Sequence, residues 1–165
     1  DGGVYLWGVF KDRFANIAVG QLDYYHASQH LHALAEALFP DQTQTNERDA
    51  WLRRLLKNLK TWGPKTLMDA IADAEQMKIK DDERRDIVRR ESEYFKNHAE
   101  HMDYRTAKKE GVPIGSGAME SQCSQNQNRF KRRGQFWSKE GFASFLLAYV
   151  WYTNDELGNL YQKAS

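Results

Sequence analysis

The stretch NERDAWLRRLLKNLKTWGP, residues 46–64, decides the fold class. Trp51, Leu52, Leu55, Leu56, Leu59 and Trp62 recur at intervals of three and four, the period of a helix buried along one stripe. Asn46 is placed to cap its start, and Gly63-Pro64 ends it. Beyond it, the spacing predicts a shorter helix over Thr66–Met77. A long charged one follows over Asp81–Met102, buried through Ile87, Val88, Tyr94 and Phe95. No strand pattern interrupts residues 44–103, which read as a helical insertion whose many charges form a solvated exterior.

Toward the N-terminus, residues 4–14 (VYLWGVFKDRF) carry bulky apolar side chains at helical spacing. NIAVGQL (16–22) then alternates Ile17 and Val19 as a short buried strand does before Asp23. From Tyr24 to Phe39 the period is helical again, with Ala27, Leu31, Leu34, Ala35 and Leu38 on one face and Pro40 at the end. Toward the C-terminus, GVPIGSG (111–117) is a loop and a helix is expected from Ala118. Ser138 is placed to cap a last helix whose apolar face is Phe142, Phe145, Leu146, Tyr149, Tyr152, Leu157 and Leu160. The expected fold class is mainly α with a small β remnant, in three regions: 1–40, 41–105 and 106–165.

At 165 residues the chain can bury one core of ordinary size. Twenty-four Lys and Arg against twenty-three Asp and Glu leave a net charge of +1, so any case for a nucleic-acid partner must be local. The single cysteine, Cys123, excludes an internal disulfide and multi-cysteine zinc patterns, and fits a reducing, intracellular setting. No apolar run approaches bilayer length and no charged-then-apolar leader is visible, so no membrane partner is expected. Asp1-Gly2-Gly3 reads as the interior of a longer polypeptide.

In the helix after the glycine loop, Glu120, Ser124, Gln127 and Lys131 share one polar face. An acid in a first turn is favourable to the helix dipole on its own account. It is also where a metal ligand would stand ahead of groups that hold phosphate. Between Ser121 and Ser138 there is no acid, while Arg129, Lys131, Arg132 and Arg133 fall within five residues. Such a run neutralises phosphates, or is a solvated turn. Phe130, Phe136 and Trp137 among them either stack on unpaired bases or anchor the turn, and Gln125, Asn126 and Asn128 can bond phosphate or base edges.

Asp23 and His26 follow the expected strand, a common place for active-site chemistry in helix-covered sheets. His26 and His30 share a helical face, which raises zinc, although no HExxH or cysteine accompanies them. His32, His98 and His101 read as ordinary surface. Asp1 is a further carboxylate of interest, because divalent cations such as Mg²⁺ need several carboxylates converging from separate elements.

Taken in order, Asp1-Gly2-Gly3 and an aromatic helix, LDYYHASQHL, a helical insertion, PIGSGAMES and RFKRRGQFWS resemble the catalytic region of bacterial insertion-sequence transposases of the DDE type. The most specific parts are Asp-x-x-His at 23–26, Gly-Ser-Gly-x-x-Glu at 115–120 and Arg-x-Lys-x-x-Gly-x-x-Trp-Ser at 129–138. The resemblance implies a partial RNase H-like α/β core (1–40 and 106–165) interrupted by the helical insertion (41–105). It makes Asp1 and Glu120 catalytic ligands of Mg²⁺, two ions in the intact parent, with Mn²⁺ as a substitute. Asp23 and His26 support the site; the alternative makes Asp23 the second catalytic acid. Asn126, Asn128, Arg129, Lys131, Arg132, Arg133 and Trp137 meet DNA, both transposon ends and target.

The implied setting is the nucleoid of a bacterial cytoplasm, and the implied assembly is a homodimer. The first catalytic Asp and the early strands are missing from these residues, so the chain alone is expected to be inactive. The competing reading is a helical module that binds nucleic acid or protein and catalyses nothing.

Overall fold

The computed structural model describes residues 3–156 and Gly158. Among them every regular element is helical: α1 (Val4–Arg13), α2 (Tyr24–Leu38), α3 (Thr45–Trp62), α4 (Lys65–Gln76), α5 (Asp82–His98), α6 (Tyr104–Lys109), α7 (Gly117–Phe130) and α8 (Lys139–Thr153). Short 3₁₀ turns at Gln42–Gln44 and Ala99–His101 complete the order. The chain divides into two compact units, one running to Gly117 and the other starting at Ala118.

In the first unit, α2 packs on α3 and α5, α4 on α3 and α5, and α6 on α3. The apolar face expected of α2 is the buried one, with Ala27, Leu31, Leu34, Ala35 and Leu38 all in the core. Leu55 and Leu59 of α3, Leu67 and Ile71 of α4, Phe95 of α5 and Tyr104 of α6 meet them, each essentially inaccessible to solvent. Burying a side chain of this size stabilises the fold by roughly 1.5–3 kcal/mol before the entropy of ordering it is subtracted.

α3 starts at Thr45, one residue before the expected cap Asn46, and its N-cap, Gln44, makes no side-chain capping bond. It ends at Gly63, whose φ of 85° lies in the region glycine favours. Trp62, at the far end of the stripe, is 65% exposed and carries the Arg105 guanidinium over its ring at 5.7 Å. The long helix expected over 81–102 stops at His98, tightens into the 3₁₀ turn, and gives way at Asp103 to α6, an element the periodicity does not announce. Asp103 caps α6 by accepting from the Thr106 N–H at 3.1 Å, as Asp81 caps α5 by accepting from the Arg84 N–H at 3.1 Å.

The small β remnant expected at residues 16–22 is not formed; among the described residues there is no strand. Ile17 belongs to a turn closing α1, in which Ala15 N–H donates to Phe10 O at 3.0 Å and Ala18 N–H to Phe14 O at 2.9 Å. The residues that follow are extended, but they have single bonds where a strand has a ladder. Leu22 N–H donates to His101 O at 2.8 Å and Tyr24 N–H to Ile114 O at 2.9 Å. Ile17 and Val19, read as buried, are 80% and 94% exposed. What the segment packs on is α1: a Cβ on Gly20 would stand 2.5 Å from the Trp7 ring, and that ring stacks on His101 at 3.8 Å.

In the second unit, α7 and α8 flank a turn. Phe130 ends α7 buried beneath the rings of Trp137, Phe142, Phe145 and Tyr149, all edge-on at 5.5 to 6.1 Å. Ser138 caps α8 by accepting the Gly141 N–H at 3.0 Å. After Glu140, α8 has no charge and is apolar all round, yet Phe142, Phe145, Leu147, Val150 and Tyr152 are exposed. Leu157 and Leu160, expected to extend its apolar face, lie outside the described residues. No described helix is long and apolar enough to cross a membrane.

Candidate functional site

Asp23 is the N-cap of α2. Its Oδ1 accepts the N–H groups of Tyr25 at 2.6 Å and His26 at 2.9 Å, and its Oδ2 accepts the Ser116 N–H at 2.5 Å. The Asp-x-x-His element and the glycine loop, 93 residues apart, thus meet through one carboxylate. Gly115 is required for the approach, because a Cβ there would come within 2.9 Å of the Tyr25 ring. Burial raises the Asp23 pKa, but the Ser116 side chain and the N–H groups of His26, Ser116 and Tyr25 outweigh it and hold the carboxyl below its usual range. Both oxygens of Asp23 accept from these donors.

His26 lies one turn on, its ring 4.9 Å from that of His30. Burial, then the neighbouring His30, lowers its pKa against the pull of Asp23 and Gln29. His30 Nδ1 meets Glu91 Oε2 at 2.6 Å and its ring stacks on Tyr94 at 3.6 Å. Glu91 is 2% exposed and its other oxygen accepts from Arg90 Nη2 at 2.8 Å and Nε at 2.9 Å. Burial drives the Tyr94 hydroxyl up to about 12. Sequence reasoning reached Ser116 only as part of the Gly-Ser-Gly-x-x-Glu motif and passed over Glu91. An available signal for Glu91 was an acid between Val88 and Phe95 on the buried stripe of α5.

Glu120 stands in the first turn of α7. Cys123 is exposed three residues further on, and Asn126 Oδ1 accepts from Gln122 Nε2 at 3.4 Å. Lys131 follows the helix end, so the polar face predicted for it spans α7 and the first residue beyond.

The basic turn is exposed throughout: Arg129, Lys131, Arg132 and Arg133 all face solvent. It is a built turn. Arg132 Nε donates to Asn128 O at 2.8 Å, its N–H donates to Gln135 Oε1 at 3.1 Å, and Gly134 has φ 80°. The aromatic residues sort into two roles. Trp137 Nε1 donates to Phe130 O at 3.0 Å and its ring stacks on Phe145 at 5.3 Å, so with Phe130 it anchors the turn. Phe136 is 94% exposed and has its face open to solvent. The Arg129 guanidinium lies 5.3 Å over the Tyr149 ring.

Asp1 lies outside the described residues. Among those described, no three His, Cys, Asp or Glu side chains converge to hold a metal ion. The Mg²⁺ ligand set is therefore not met by the described residues, and the His26–His30 pair lacks the further ligands zinc requires. Comparisons of the chain with protein families, curated proteins and solved structures return no match.

Proposed function

We propose that the chain is part of the catalytic region of a DDE-type DNA transposase. In this reading the second unit holds DNA, and Glu120 is one ligand of a metal site completed by residues beyond those described. Strand cleavage and transfer belong to the longer parent. The carrying observation is the exposed, acid-free basic turn built at the end of the helix that bears Glu120. Support also comes from the Asp23–Ser116 bond, which joins two of the three motifs on which the resemblance rests.

The test is DNA affinity by fluorescence anisotropy across a salt series. Four phosphate contacts give a slope of about −3 to −4 in log K against log salt, and Lys131→Ala with Arg132→Ala and Arg133→Ala lowers its magnitude by about 2 to 3. Unchanged slopes would remove the DNA-binding reading. The second reading, a helical nucleic-acid-binding module without catalysis, is favoured by the absence of a converged metal-ligand group among the described residues. Glu120→Gln separates the two: the transposase reading expects Mn²⁺ to tighten DNA binding by the wild-type chain and not by the variant. The binding-module reading expects no difference.

A further inference from the structure

The second unit contains a cavity of about 170 Å³ lined by Arg129, Phe145, Ala148, Tyr149 and Tyr152. That is well below the roughly 300–1,000 Å³ of pockets for drug-sized ligands and is on the scale of one flat ring. Three of its lining residues are aromatic, with Phe145 42% and Tyr152 64% exposed, and Arg129, whose guanidinium lies over the Tyr149 ring, lines it as well. Gln122 Nε2 donates to the Tyr149 hydroxyl at 3.3 Å, which fixes that ring within a polar network that also reaches Asn126.

From this cavity we infer a binding site for a single unpaired base of single-stranded DNA, with the adjoining phosphates held by Arg129 and the turn beyond it. The inference rests on the DNA-binding reading and names the form of DNA. Charge selects the occupant: Arg129 lines the cavity, Lys131, Arg132 and Arg133 follow it in the chain, and no acid occurs between Ser121 and Ser138. An acidic polymer with flat apolar faces meets both requirements, and aromatic walls beside a basic track are how single strands are held without sequence preference. A base inside a duplex is stacked on both faces and cannot enter without being extruded, so single strands are preferred.

The experiment uses the whole chain, a short single-stranded oligonucleotide carrying one fluorescent aminopurine, and the same sequence as a duplex. The expected result is tighter binding of the single strand, with aminopurine emission quenched by stacking. Tyr152→Ala should weaken the single strand about fivefold to hundredfold and abolish the quenching, while leaving duplex affinity unchanged. Tyr152 is chosen because it is exposed, and Tyr152→Phe should restore binding. Equal affinity for both forms with no quenching, while the Lys131, Arg132 and Arg133 substitutions still weaken binding, overturns the base site and leaves the DNA-binding reading standing. No binding of either form overturns both.

Discussion

At the scale of single residues, Asp23 has two separable duties, and substitution can divide them. Its Oδ1 caps α2 and its Oδ2 holds the Ser116 N–H. Asp23→Ala loses both and should destabilise the first unit by about 2–5 kcal/mol, the sum of a cap and a charge-assisted bond. Asp23→Asn keeps an acceptor for the cap but turns an amide donor toward the Ser116 N–H. Hydrogen exchange should therefore show a Ser116 amide that opens far more readily while α2 stays protected. The pH dependence has a definite sign. A carboxyl whose pKa is lowered on folding stabilises fully above its ordinary value of 3.8, and that contribution fades as pH falls through the lowered value. Acid titration of stability should accordingly be shallower in Asp23→Asn than in the wild type.

At the scale of elements, Ser138→Ala tests the capping of α8, where one hydroxyl accepts the Gly141 N–H. The expected cost is about 1 kcal/mol, read by helix content on denaturation. Ser138 was legible because a capping residue stands one turn ahead of a long apolar run. So were α2, α3 and α4, whose buried stripes repeat over several turns. The strand was not, and residues 16–22 show why. Two alternating residues are too few to specify a period, and a strand exists only where a neighbour supplies the ladder. Here the neighbours are the Trp7 ring and two single carbonyls. α6 escaped notice for the related reason that six residues hold too little of a helical period to be seen. At the site, the basic run and Glu120 were plain as local patterns, whereas the partners of Asp23 and His30 lie 93 and 61 residues away, distances that no local pattern encodes.

At the scale of the whole molecule, each unit has a core of its own, and the two cores differ greatly in depth. The first is filled from five helices. In the second, Phe130 is the one buried hydrophobic side chain among the described residues, and the others of its aromatic group are partly open. Phe130→Ala should therefore cost about 3–5 kcal/mol of local stability. Hydrogen exchange by mass spectrometry should show protection lost across α7 and α8, with the amides of α2 to α5 unaffected. Equal loss in both units would mean that they open as one. The lone thiol offers a direct view of these events: Cys123 is exposed on α7, three residues past Glu120. A maleimide dye attached there labels the unaltered chain at a single point, so arrival of DNA and fraying of the helix can both be timed by its fluorescence.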